Sequence, residues 1–164
     1  MSQANERERV EAQAERLVAN YADLILRLSY TYLGSTADAE DICQTVLLRL
    51  MTKAPRFQNE EHERAWVIRT TANACKDLLK SAARRSTVGL EAAGEVAAPD
   101  APDGAVADAV SRLPREQREV VHLHYYEGLP IKEVAQLVGA TEAAVTKRLS
   151  RARETLRHAL GGES

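Results

Sequence analysis

Aromatic side chains make up only 4% of the 164 residues, which argues against most β architectures, since strands draw on aromatic and β-branched residues. Ala, Leu, Glu and Arg dominate instead, and with 45% hydrophobic residues the expected class is all-α. Cysteine is limited to Cys43 and Cys75, with no CxxC pair, so a disulfide framework is excluded and two reduced, partly buried thiols are expected. No run approaches the roughly 18 apolar residues that would span a bilayer. Met1 to Arg9 is polar and charged, unlike a signal peptide, so a cytoplasmic location is expected, and no regulatory domain is expected after Ser164. A phosphate-binding glycine loop, a nucleophile elbow and a paired-acid motif are all missing, which argues against an enzyme. His122 and His124 on one helix would point about 200° apart, and neither cysteine is near them in sequence, so neither a metal site nor a cofactor is expected.

What is present is a charge distribution in blocks. The net charge is −2, and total charge does not announce a nucleic-acid ligand. Up to Asp41 acids outnumber bases, whereas Arg64, Arg69, Lys76, Lys80, Arg84 and Arg85 then face only Glu63 and Asp77. From Ser86 to Ala109 there are Glu91, Glu95, Asp100, Asp103 and Asp108 and no base at all. Lys147, Arg148, Arg151, Arg153 and Arg157 follow against Glu154 alone. Two basic helices therefore flank an acidic spacer. That spacer is rich in Ala, Gly and Pro and too poor in large apolar residues to bury a face. The expected fold is two small helical modules, residues 1–85 and 105–164, joined by a flexible acidic linker, 86–104. Modules of this size bury only about 60% of their unfolded surface, so partners matter to them.

Within the first module Val10, Ala14, Leu17, Tyr21, Leu24, Leu28 and Tyr32 recur at helical spacing, and Gly34 stops the helix. Ser35 to Asp38 reads as a capping box, with Asp38 reaching back, at the start of a second helix that turns Ile42, Val46, Leu47 and Leu50 inward and ends before Pro55. A third helix, about Glu61 to Arg84, has two faces. Ala65, Ile68, Ala72, Cys75 and Leu79, flanked by Val67, Ala74 and Leu78, form a packing face. Trp66, Arg69, Thr70, Asn73, Lys76, Asp77 and Lys80 form the other. A solvated face with one stray aromatic is the plain alternative. Yet Trp is costly to leave in water, Asn and Thr are mediocre mid-helix residues, and cations surround them. An aromatic, a base-reading amide and cations together suit unpaired nucleic acid.

The second module contains a short helix carrying Val106, Ala109, Val110 and Leu113, then one from Pro114 to Glu127 stopped by Gly128. Pro130 to Val138, Gly139 and a Thr141-capped helix through Arg157 make a helix-turn-helix. Ala135 permits close approach, and Val145, Leu149, Ala152 and Leu156 anchor the last helix. Thr146, Lys147, Ser150 and, at the margin, Arg151 are left facing outward where a recognition helix meets base edges. Arg148, Arg153 and Arg157 are better placed for phosphates.

From about Tyr21 to Arg157 the chain resembles the extracytoplasmic-function sigma factors of the sigma-70 family. Four stretches carry the resemblance: Asp38-Ala39-Glu40-Asp41-Ile42-Cys43-Gln44 with Leu47-Leu48-Arg49; Trp66-Val67-Ile68-Arg69 with Asn73, Cys75 and Asp77; Leu113 to Val120 with Glu127-Gly128-Leu129; and Glu133-Val134-Ala135 through Val145 with Arg148 to Arg153. The resemblance implies an RNA polymerase sigma factor with no catalysis of its own. It implies that Asp41 and Gln44, with Asp38, Glu40 and Arg49 nearby, meet the coiled coil of the largest core polymerase subunit, although the acids also suit a helix N-terminus. The third helix would engage the minus-10 promoter element, and the loop from Arg56 to Glu61 would capture a flipped base, with Phe57, Gln58 and Asn59 suited to it. An ordinary loop with Phe57 tucked inward is the alternative. The last helix would read the minus-35 element, where Ala143-Ala144 and Thr146-Lys147 depart from the usual Gly-Thr and Lys-Ser. An anti-sigma factor is the further expected partner. The competing reading is a two-module DNA-binding regulator that never meets polymerase.

Overall fold

A computed structural model describes residues 3–86 and 104–161, with backbone only for 85 and 86. The acidic linker lies almost wholly outside the described residues. The described residues fall into two separate helical units, without a strand among them. In the first, α1 (Gln3–Leu33), α2 (Thr36–Thr52) and α3 (Glu60–Ser86) pack pairwise into an up-down-up bundle. The second contains α4 (Gly104–Ser111), α5 (Arg115–Val121) with a π-helical turn after it (His122–Tyr126), α6 (Ile131–Val138) and α7 (Glu142–Ala159). No helix among the described residues is long and apolar enough to cross a membrane.

The α1 core face is Leu17, Tyr21, Leu24, Ile25, Leu28, Ser29 and Tyr32, all buried. Val10, expected on that face, is 56% exposed, and Ala14 is only half-buried. The reason is where the partners lie: α2 has only 17 residues, and α3 begins level with Arg16 and Tyr21, which its Glu63 meets, so among the described residues the first turns of α1 extend past both. Gly34, at φ 65, supplies the left-handed residue that reverses the chain. The Ser35 hydroxyl accepts from the Asp38 N–H at 3.1 Å, but among the described residues the Asp38 carboxylate makes no return bond. Only half of the expected capping box forms, because Asp is one methylene shorter than the Glu or Gln that closes it. Leu47 is half-buried rather than inward; Ala39, Ile42, Cys43, Val46 and Leu50 make the α2 core face.

In α3 the packing face is Val67, Ile68, Thr71, Ala72 and Cys75, rotated slightly from the expected one, so Ala65, Ala74, Leu78 and Leu79 are half-buried. Thr71 enters the core by returning its hydroxyl to the Val67 carbonyl at 2.7 Å. Both cysteines are buried and free. Burial pushes the Cys75 thiol up to about 11, which Ser29 beside it only partly opposes, so this is a packing residue rather than a nucleophile.

The second unit is centred on α7, which packs against α4, α5 and α6 through Val145, Leu149 and Ala152. Helix α5 departs from the expected single helix: after Val121 the bonding widens, and the Glu127 N–H reaches the His122 carbonyl five residues back at 3.0 Å. Arg118 donates to the Leu113 carbonyl at 3.1 Å, tying α5 to the end of the preceding segment.

Candidate nucleic-acid interface

Three surfaces carry the residues singled out in the sequence. On α2, burial of Ile42, Cys43, Val46 and Leu50 turns Asp38, Glu40, Asp41, Gln44 and Arg49 outward, and all five are exposed. At 100° per residue Asp41, Gln44 and Leu48 share one line, whereas Asp38 and Arg49 lie to one side and Glu40 to the other. Leu48 is 61% and Met51 40% exposed on that face. Two large apolar side chains thus lie in water beside acids on one face of α2. Leu48 entered the sequence reading only as part of the Leu47-Leu48-Arg49 stretch and without a role, although it falls on the same face as Asp41 and Gln44.

The loop from Ala54 to Asn59 and the first turns of α3 form the second surface. Phe57 is half-buried, with its ring edge-on to Trp66 at 5.9 Å and to His62 at 5.6 Å. It is thus the anchor that ties the loop to the helix. Asn59 immediately precedes α3, and its side-chain oxygen accepts the His62 N–H at 2.8 Å. That is the N-cap geometry. The Gln58 N–H leans on His62 Nδ1 at 3.4 Å, and its side chain is exposed. Beyond the loop, Arg69, Asn73, Lys76 and Lys80 climb α3 in one stripe, with Trp66, Thr70 and Asp77 alongside; Trp66, Thr70 and Lys76 are half-buried and the others exposed.

What holds this surface was not visible in the sequence. Glu63, in the first turns of α3, is 8% exposed and accepts the Tyr21 hydroxyl at 2.7 Å and the Arg16 guanidinium at 3.2 Å. Burial alone would raise this carboxyl, but the hydrogen bonds from Arg16 and Tyr21 and the charge of Arg16 outweigh it, holding the group below its usual range. The start of α3, and with it the Phe57 loop and Trp66, is therefore fixed to α1 by a buried polar contact.

The third surface is the helix-turn-helix. Gly139 adopts φ 70 and closes α6, and the Ala140 N–H reaches the Ala135 carbonyl at 3.0 Å. Thr141 Oγ1 accepts the Ala144 N–H at 3.0 Å and starts α7. With Val145, Leu149 and Ala152 buried, Thr146, Lys147, Ser150 and Arg151 face solvent together. Arg148 is half-buried on one flank. Arg153, on the other, donates from Nη1 to the Tyr125 hydroxyl at 2.6 Å. His122 and His124 are committed elsewhere: His122 Nε2 pairs with Glu127 Oε2 at 2.7 Å, and His124 Nδ1 lies 2.8 Å from the Leu129 carbonyl. Among the described residues no group of three or more His, Cys, Asp or Glu is arranged to hold a metal.

Comparison with known proteins agrees with this arrangement. The sigma-70 region 2 family model matches residues 17–85, and the sigma-70 region 4 model matches residues 103–156. The extracytoplasmic-function RNA polymerase sigma factor SigM of Mycobacterium tuberculosis is 33% identical over 138 residues, which cover 82% of this chain and 70% of that protein. SigL of the same organism is 31% identical over 150 residues, covering 86% and 85%. The sigma factor RpoE of Bartonella quintana, solved in complex with the anti-sigma factor NepR, shares the fold with a TM-score of 0.71 at 18% identity, over 92% of this chain and 98% of that one. Three other curated relatives are matched over 40%, 62% and 58% of their own length, so the chain spans only part of those proteins. Region 2 and region 4 matches in order along one chain, together with relatives matched over most of their length, decide the family: the chain belongs to the sigma-70 family, in its extracytoplasmic-function group.

Proposed function

We propose that this chain directs promoter-specific transcription initiation by binding core RNA polymerase and reading two separate promoter elements. Residues 1–85 act as region 2 and 105–164 as region 4, with 86–104 between them. The Asp41, Gln44 and Leu48 face of α2, with Asp38, Glu40 and Arg49 around it, binds the coiled coil of the largest polymerase subunit. The Trp66, Arg69, Thr70, Asn73, Lys76 and Lys80 surface of α3, together with the Gln58 and Asn59 loop that Phe57 anchors, holds the opened minus-10 element. On α7, Thr146, Lys147, Ser150 and Arg151 meet the bases of the minus-35 element, and Arg148 and Arg153 meet phosphates. Catalysis belongs to the polymerase, and this chain needs no cofactor.

The observation that carries the reading is that two separately packed units each present an outward helix face of cations and hydrogen-bonding side chains, on α3 and on α7. Such faces combine salt-dependent phosphate affinity with base readout. An anti-sigma factor is the expected regulator, by likeness to the relative solved with NepR. The test is transcription by purified core polymerase on a library of genomic promoters from the source organism. Initiation from a defined subset only when the protein is added supports the proposal. No protein-dependent initiation anywhere in the library contradicts it and favours a regulator that never binds polymerase.

A further inference from the structure

The π-helical turn after α5 is held by polar contacts inside the second unit. His122 and Glu127 pair at 2.7 Å with side chains only 5% and 0% exposed, and the Leu129 N–H bonds the Leu123 carbonyl at 3.0 Å across the widened turn. Single π turns of this kind occur often at functional sites. Leu123 stays buried, while Tyr125 on the same turn remains 51% exposed. Its hydroxyl oxygen receives the Arg153 Nη1 hydrogen at 2.6 Å, a contact between residues 28 apart in the chain. Arg153 sits two turns beyond Thr146 on α7, with Ser150 and Arg157 its helical neighbours on that side.

We propose that Tyr125 and Arg153 form one phosphate clamp on the flank of α7, with a DNA backbone phosphodiester as its ligand. This rests on the reading of α7 as the minus-35 helix. A tyrosine hydroxyl has one hydrogen and can accept as well; here it accepts from Arg153, and its own hydrogen has no acceptor among the described residues. Arg153 makes no ion pair with a carboxylate among the described residues, so four of its five N–H groups and a whole positive charge remain for a ligand. The tyrosine oxygen fixes the plane of the guanidinium, and the two groups then offer adjacent donors of one positive site. That matches the paired oxygens of a phosphodiester, and pre-fixing the fork reduces the side-chain entropy lost on binding. Tyr125 is a ligand-touching and positioning residue at once, set in place by the buried His122–Glu127 pair.

The test uses holoenzyme assembled from core polymerase and the full chain, with a labelled promoter duplex, and reads Kd across a salt series. Arg153→Gln is expected to weaken binding about tenfold or more. It should also flatten the salt slope by about 1, equally for all minus-35 sequences. Tyr125→Phe is expected to weaken binding about three- to tenfold with the slope unchanged, because tyrosine is neutral. Added to Arg153→Gln, it should cost clearly less than it does alone, because only its own donor to the phosphate is then left to lose. Tyr126→Phe serves as the neighbouring control and should bind like the parent. Parent-like binding by Tyr125→Phe overturns the clamp. So does a loss matched by an equal fall in thermal stability, which makes the contact a structural brace, or a loss fully additive with Arg153→Gln, which means that the two groups do not act as one clamp. Lys147→Ala in the same assay separates this from the underlying reading. If it shifts minus-35 preference while Tyr125→Phe does nothing, only the clamp fails; if none of the variants affects binding, the role of α7 fails with it.

Discussion

Glu63 decides how the start of α3, proposed to hold the minus-10 element, is built. Its carboxylate is buried against Tyr21 and Arg16, so removing it leaves a buried hydroxyl unpaired. Glu63→Ala should therefore destabilise the first unit by about 1–3 kcal/mol, and most of that loss comes from the tyrosine. The ion pair itself contributes little, because the Arg16 side chain is 40% exposed. The pH dependence has a definite sign. A carboxyl held below its unfolded value stabilises the fold fully above that value, about 4.3, and loses the contribution as pH falls through the lower folded value. Thermal melting from pH 7 downward should show a steeper acid loss in the parent than in Glu63→Gln; parallel curves would mean the carboxylate is not so held. Asn59 raises a similar question at the loop. Because its oxygen caps α3, Asn59→Ala should cost about 1 kcal/mol of stability besides any effect on promoter opening, whereas Asn59→Ser should keep the cap. Equal melting temperatures for Asn59→Ala and the parent would show that the cap contributes nothing.

Among the elements, the helix-turn-helix was the most legible in the sequence, because its signals are local. Gly139 is needed where φ is 70, and Thr141 caps within three residues, so both can be read from a short window. Gly139→Ala should cost about 1–2 kcal/mol by strain alone, since a Cβ there would meet nothing within 4 Å. Unchanged melting in that variant would contradict a left-handed turn. The start of α3 was less legible. Asn59 offered itself both as a cap and as a base reader, and the sequence reading gave weight only to the second. Glu63 was invisible, because its partners lie 42 and 47 residues away and no helical period links them. The π turn was missed for a related reason. A His–Glu pair five residues apart matches no α-helical spacing, so periodicity treated α5 as one uninterrupted helix. On α7 the burial of Val145, Leu149 and Ala152 fixed the outward face, and that too was readable. Lys147→Ala should consequently change which base pair is preferred at one minus-35 position, a good bidentate contact being worth about 1–3 kcal/mol.

At the scale of the molecule, the charge blocks fall on two units, and the proposed function makes each the reader of one promoter element. The chain's total charge of −2 conceals two small basic helix faces, one on α3 and one on α7. Region 2 and region 4 fall on different units, so their contributions should separate cleanly, as sites without shared partners do. The most direct measurement is transcription by holoenzyme from a promoter library randomised first in the minus-10 element and then in the minus-35 element, with the parent, Asn73→Ala and Lys147→Ala proteins compared. The account predicts that Asn73→Ala alters selection only among minus-10 sequences and Lys147→Ala only among minus-35 sequences. It would be contradicted if neither variant changed selection, or if each altered the element assigned to the other.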